Sequence, residues 1–235
     1  MAELPSSSPQ SPWLRGMMRA LPIVMGYVPI GFAYGVLAQQ AGLSAFNTVA
    51  MSLIVYAGSA QLIGVSMFAA GVPALAIILT TLVVNLRHLL FSAALSPHLK
   101  GWRKLELAAF AYELTDESFA VHSAEFARNS PPKAELFAIN VTAQASWVCG
   151  SWLGVVAGRL IADTRALALD YALPAMFIAL LMMQTRHRRD AAVALFSGLL
   201  AVGLTLLGLN HWSVILATVI GATLGLASEG WRVRS

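Results

Sequence analysis

The sequence predicts an all-α, polytopic membrane protein with about six full transmembrane helices, two further broken or re-entrant segments and a possible inverted repeat. Three observations carry this. Of 235 residues, 58% are hydrophobic and 11% are charged, whereas roughly a quarter of a soluble domain is charged, and the mean hydropathy is +0.71. From Ala20 to Leu99 the one formal charge is Arg87, an apolar run that no soluble core of this size requires. The uncharged stretches are 15 to 27 residues long and lack strict alternation, which favours helices over barrel strands. The net charge of +4 is spread over short basic clusters between apolar segments, as in cytoplasmic loops, so the expected partner is a lipid bilayer and not nucleic acid. Cys149 is the single cysteine. It excludes an internal disulfide and a cysteine metal cluster, and its apolar surroundings suggest a packed, inert thiol.

In chain order, MAELPSSSPQSP is rich in Ser and Pro with nothing to bury. Residues 1–14 therefore read as a disordered cytoplasmic tail ahead of one transmembrane domain over 15–230. Arg15 and Arg19 precede an apolar stretch without a small-residue cleavage site, so 20–39 reads as a retained first helix. Pro22, Gly26, Pro29, Gly31 and Gly35 make it irregular. Uncharged runs follow at 44–70, 72–95, 136–158, 171–185, 191–209 and 212–228. Between them, 105–127 is apolar in background but carries Glu106, Glu113, Asp116, Glu117 and Glu125, five of the eleven acids. Spacings of small residues at Gly31 and Gly35, Gly154 and Gly158, and Gly221 and Gly225 suit close helix contacts.

Parity decides orientation, since Lys and Arg gather on the cytoplasmic side. If 44–70 and 105–127 both cross, nine basic residues fall inside and five outside. If both enter and return to the same side, six crossings remain, and twelve basic residues lie inside against Arg159 and Arg165 outside, with Arg87 in the membrane. Both termini are then cytoplasmic. Local chemistry agrees, because YAGSAQ places Gly58 and Ser59 mid-segment and YELTDES places Thr115 to Ser118 there. Gly and Ser interrupt a helix, and Thr or Asp ahead of Glu caps a new one. Each broken segment precedes a continuous helix with a buried amide, Asn85 or Asn140. The alternative is two ordinary tilted helices.

Broken backbone inside a membrane is tolerated where it lines a wet cavity or is buried in protein. A helix starting near Ala60 would offer free N–H groups and a positive dipole end to a carboxylate, with Gln61 in its first turn; the alternative is a glycine that merely admits a neighbouring helix. Arg87, with Asn85 and His88 in NLRHLLF, either snorkels to the headgroups or faces the interior, where it needs a partner. Glu113, Asp116 and Glu117, spaced i, i+3, i+4, would share a helix face. They form either a solvated interfacial face or, at the break, a pair for Arg87 or a substrate ammonium, with one of them carrying a proton. Walker A, H-E-x-x-H, G-x-S-x-G and paired-cysteine patterns are missing. Enzymatic activity, a cofactor and a metal are not expected.

The order LPIVMGYVPIGFAYGVLA, YAGSAQ, TTLVVNLRHLLFSAALSPHL and LTDESFA resembles the AzlC family, the large subunits of bacterial branched-chain amino acid exporters. The resemblance covers about 15–228 and is most specific in NLRHLLF and TDES. It implies an inner-membrane exporter of leucine, isoleucine, valine and sometimes methionine, working with a small AzlD-like membrane subunit and driven by the proton gradient. On that reading Gly58, Ser59, Gln61, Asn85, Arg87, Asp116 and Glu117 bind the substrate. The helix start and Arg87 take the carboxylate, and Asp116 and Glu117 take the ammonium. Asp116, Glu117 and His88 couple protons. A passive channel for a small solute is the rival, and proton coupling of the flux separates the two.

Overall fold

The computed structural model describes residues 11–128, 130–161, 168, 171–185, 187–209 and 213–230. Residues 1–10 of the expected tail, and Arg165, Arg186, Arg232 and Arg234 of the charge argument, lie outside the described residues. Among the described residues every regular element is a helix, joined by short turns and without strands: α1 (Pro12–Gln40), α2 (Ala45–Ile54), α3 (Gly58–Ala69), α4 (Ala74–Asn85), α5 (Arg87–Leu95), a 3-10 turn (Ser96–His98), α6 (Lys104–Tyr112), α7 (Asp116–Arg128), α8 (Lys133–Gly158), α9 (Ala172–Gln184), α10 (Arg188–Leu206) and α11 (Ser213–Gly230). Three stretches are long and apolar enough to cross a membrane: Pro12–Gln40, Ala74–His98 and Arg188–Leu206. The chain packs as two compact units, Met1–Met176 and Phe177–Ser235.

In the first unit, α1 begins eight residues before the expected position. Ser11 accepts from the Leu14 N–H, and Pro12 occupies the first turn, where its missing N–H costs nothing. Pro22 and Pro29 sit inside α1 without ending it. The dominant packing is α1 on α8 through glycines. Gly16 lies against Glu135 and Ala138, Gly31 against Trp147 and Gly150, and Gly35 against Ser151 and Gly154. Contacts advance together along both helices, so α1 and α8 run parallel. A Cβ on Gly31 would stand 2.9 Å from the Trp147 carbonyl oxygen, a distance real side chains do not adopt. The expected small-residue faces at Gly31/Gly35 and Gly154/Gly158 thus meet each other. Cys149 is exposed instead of packed, since α8 turns Gly150 and Gly154 to α1 and position 149 elsewhere.

With α1 and α8 as a ruler, the broken segments can be traced. Segment α6 starts beside the first residue of α8, where Glu106 pairs with Lys133 at 2.5 Å, and it ends with Tyr112 beside Gln144, mid-helix. Segment α7 returns: Glu117 meets Tyr27, and Glu125 meets Arg19. The stretch α4–α5 descends the same way, since Arg87 meets Asp116 while Leu95 and Leu99 pack with Leu136 near the start of α8. Segment α3 runs antiparallel to α4, with Ser59 at Arg87 and Gly64 facing Ile77 and Thr81. Segment α2 begins at the C-terminal end of α1, where the Leu43 N–H donates to the Ala38 carbonyl, and descends until Leu53 lies beside Gln144. The pairs α2–α3 and α6–α7 are therefore helical hairpins that enter from opposite ends and meet tip to tip.

One expected continuous helix is interrupted. Segments α4 and α5 are separated at Leu86, whose N–H reaches back three residues to Val83 and whose carbonyl accepts from Leu89. This is a 3-10 tightening. Asn85 beside it is half-buried and not fully buried, whereas Asn140 is fully buried. In the second unit α10 packs on α11 with Gly221 against the Ser197 side chain, so Gly221 of the third expected small-residue face makes a close contact.

Candidate functional site

The two hairpin tips differ in how they treat their helix starts. At α3, Ala57 gives no side-chain cap, so the amides of Gly58, Ser59 and Ala60 have no partner from a cap and the positive dipole end stays available. Tyr56 makes the turn at φ 41°, in the left-handed region that a bulky residue occupies only under strain. At α7 the start is capped: the Ser118 N–H donates to Thr115 Oγ1 at 3.3 Å and the Thr115 N–H donates to Ser118 Oγ at 2.8 Å. Asp116 and Glu117 in this first turn favour the dipole. One tip therefore presents unpaired donors and the other presents carboxylates.

Arg87 joins them. Its Nη1 lies 2.9 Å from Asp116 Oδ2, and its Nη2 donates to Ser59 Oγ. The side chains of Arg87 and Asp116 are 23% and 8% exposed, so the guanidinium faces the protein interior and does not snorkel. Glu117 has another partner. Its Oε2 lies 2.6 Å from the Tyr27 hydroxyl, and that oxygen lies 2.7 Å from Thr115 Oγ1. Tyr27 sits at the centre of the 29-residue α1, about 20 Å from either end at 1.5 Å per residue. The cluster is thus at half depth in the helix that spans the unit.

These groups enclose a cavity of about 20 Å³, lined by Tyr27 of α1; Tyr56, Ala57, Gly58 and Ser59 of the first tip; Arg87 and His88 of α5; Thr115, Asp116 and Glu117 of the second tip; Trp147 of α8; and Met176 of α9. That volume holds one water. Gly58 is required here because a Cβ would stand 2.8 Å from the Trp147 ring. Several polar atoms at or beside the cavity are buried without partners: Tyr56 Oη, Asn85 Oδ1, Arg87 Nε, His88 Nε2 and Glu113 Oε2. Buried polar groups are ordinarily bonded, and orphans concentrate where a ligand or water completes them.

Of the residues expected to form a site, Gly58, Ser59, Arg87, His88, Asp116 and Glu117 come together at the cavity. His88 holds the Leu114 carbonyl at 2.9 Å through Nδ1. Gln61 lies outside the lining. Its Nε2 donates to Ser52 at 3.1 Å, and its Oε1 accepts from the Trp147 indole at 3.0 Å, so it ties α2, α3 and α8 together. Asn85 is also outside the lining. Glu113 caps the C-terminus of α6 and does not share a helix face with Asp116 and Glu117. Tyr27, Tyr56, Thr115, Trp147 and Met176 were not singled out from sequence as site residues. A hydroxyl-bearing aromatic at the middle of an otherwise apolar helix was the available signal for Tyr27.

Comparison with known proteins gives a consistent result. The profile described as AzlC protein matches residues 22–161, a span that contains both hairpins, α8 and most of the cavity. The Escherichia coli inner membrane protein YgaZ is 32% identical over 227 residues, covering 94% of this chain and 92% of that one. An uncharacterized membrane protein of Archaeoglobus fulgidus is 32% identical over 228 residues, covering 96% and 98%. The Bacillus subtilis branched-chain amino acid transport protein AzlC is 26% identical over 199 residues, covering 83% and 76%. No solved structure matches the chain.

Proposed function

This chain belongs to the AzlC family of membrane proteins, and from that premise we propose that it is a secondary transporter subunit exporting branched-chain amino acids, with export driven by protons. The carrying observation is Arg87, held between Ser59 at the start of α3 and Asp116 at the start of α7. A zwitterion fits that arrangement by exchange of partners. Its carboxylate takes Arg87, Ser59 and the uncapped α3 amides, and its ammonium takes the Asp116 and Glu117 carboxylates. Each charge of the substrate thus meets one of opposite sign, which matters because an isolated interior charge is costly. Without substrate, a proton on Asp116 or Glu117 performs the neutralisation that the ammonium otherwise performs, and this alternation is the coupling.

The cavity of about 20 Å³ is far too small for leucine, so a hairpin must move to admit it, and that supports alternating access over an open channel. On this reading the chain resides in a bacterial inner membrane with both termini and Lys100 to Lys104 cytoplasmic. Leu, Ile, Val and Met are the substrates, and a small AzlD-like membrane subunit is the partner. The name of the Bacillus relative supports the substrate class. Export of individual amino acids from cells expressing the chain, with and without a small subunit, tests the reading. Saturable leucine, isoleucine and valine export that rises with an imposed pH gradient is expected. Non-saturable flux indifferent to the gradient would establish the passive channel instead.

A further inference from the structure

Below the cavity, towards the N-terminal ends of α1 and α8, a second set of polar side chains is buried where an apolar helix interface would serve as well for packing. Its upper part is a continuous line of hydroxyls. Glu117 Oε2 lies 2.6 Å from the Tyr27 hydroxyl, Tyr27 lies 2.7 Å from Thr115 Oγ1, and Thr115 Oγ1 lies 3.3 Å from Ser118 Oγ. Ser118, His122 and Glu125 are spaced i, i+4, i+7, one face of α7. His122 is fully buried, its Nε2 is 2.7 Å from Asn140 Oδ1, and the Phe110 ring covers it at 4.9 Å. Glu125 then pairs with Arg19, which also meets Glu135, a residue paired in turn with Arg15 at 3.1 Å.

His122 and Asn140 satisfy only half of their capacity on each other. Both are 0% exposed, yet His122 Nδ1 and Asn140 Nδ2 have no partner. A packing pair would leave neither a bare lone pair nor a bare N–H; a wet relay needs both, one to receive a proton and one to hold a water. We propose that His122 is the midway station of a proton path from the Asp116/Glu117 site to the cytoplasmic end of α7 and α8. The inference rests on the proton-coupled reading above and extends it to a residue outside the cavity.

The steps balance. A proton leaves the Glu117 carboxyl along the Tyr27, Thr115 and Ser118 hydroxyls, each accepting one proton and passing on its own, and crosses one bridging water to His122 Nδ1, which no described protein group bonds directly. The imidazolium returns one proton, through a water held by Asn140, to a carboxylate oxygen of Glu125 or Glu135, which releases it to the cytoplasm. The titratable and charged groups facing this path are Tyr27, Arg15 and Arg19 from α1, Tyr56 from the first tip, Arg87 from α5, Asp116, Glu117 and Glu125 from α7, and Glu135 from α8. Arg15 and Arg19 lie directly against the exit carboxylates.

The test uses inside-out membrane vesicles from cells expressing the full chain, with radiolabelled leucine as the probe. Uptake driven by an acid interior is compared with leucine–leucine exchange without a gradient, for wild type, His122→Gln and His122→Asn. The two amides each preserve a polar atom near one ring nitrogen but cannot carry a proton. Driven uptake is expected to fall by roughly tenfold or more, with exchange staying within about twofold of wild type in at least one variant. Driven uptake at the wild-type level in either variant overturns the inference alone. Equal loss of exchange and driven uptake in both variants also overturns it, because His122 is then structural. If the wild type exchanges leucine but shows no gradient-driven uptake, the coupling itself fails and the inference falls with it.

Discussion

At the scale of single residues, Arg87 and Asp116 decide the site because each is buried only by virtue of the other. Removing one partner of a buried pair leaves an uncompensated charge and costs about 3–5 kcal/mol, whereas removing both costs far less. Arg87→Gln is therefore expected to reduce folded yield sharply, and Arg87→Gln with Asp116→Asn is expected to recover much of it, measured by detergent-extracted monodisperse protein. Export stays lost in the double variant, since the carboxylate then lacks its cation. Wild-type yield and export in Arg87→Gln would remove Arg87 from the site and leave the α3 start alone. Tyr27 gives a milder case. Tyr27→Phe deletes the hydroxyl held by Glu117 and Thr115, a loss of about 1–3 kcal/mol for a buried acceptor left unmet. The ring packing on Trp147 at 5.4 Å stays in place. Transport should fall with folded yield only modestly lowered; unchanged transport would show that Glu117 needs no donor.

At the scale of elements, the parallel α1/α8 pair is the frame against which both hairpins are set, and glycines let the backbones approach. Gly35 is the sharpest point, since an added Cβ would run into the Ser151 carbonyl oxygen and stand 2.8 Å from the Val155 N–H nitrogen. Backbone cannot step aside as a flexible side chain can, so Gly35→Val is expected to abolish folded protein. Gly26, on the same helix with nothing within 4 Å of an added Cβ, should accept Ala with equal or better yield, because Gly costs about 1 kcal/mol relative to Ala in a helix. Comparable losses in both would mean that α1 tolerates no change and that the interface is not the cause. The two breaks were legible in sequence because Gly58, Ser59 and Thr115 to Ser118 punctuate otherwise apolar runs. The interruption at Leu86 was not, since NLRHLLF contains neither Gly nor Pro to mark it. Ser11 and Pro12, read as part of the tail, cap and open α1, and Arg15 and Arg19, read as flanking loop charges, pair with Glu125 and Glu135. Partners 90 residues apart, as Tyr27 and Glu117 are, leave no local pattern to read.

At the scale of the whole molecule, the open quantity is how many times the chain crosses the bilayer, and the hairpins bear on it directly. Because α1 and α8 run parallel, an odd number of the three intervening segments must cross, so α2–α3 and α6–α7 either both cross or both return if α4–α5 crosses. Tip-to-tip meeting of the two hairpins at Arg87 supports the reading in which both return, which is also the arrangement that gathers twelve of the Lys and Arg residues on one side. Two positions separate the alternatives by exchanging sides. With both hairpins returning, Ala70, at the end of α3, is external and Lys100, just beyond the 3-10 turn, is cytoplasmic; with both crossing, the assignments swap. Both residues are exposed, and both lie outside the positive-φ glycines at 71 and 101, so a cysteine at either adds no backbone strain. In a Cys149→Ser background, an impermeant thiol reagent added to intact cells is expected to label Ala70→Cys and to spare Lys100→Cys until the membrane is opened. The reverse pattern would establish eight crossings and place the Lys100 to Lys104 cluster outside. The arginine site would then sit in a pore between through-going helices, and the hairpin movement required for alternating access would have no element to perform it.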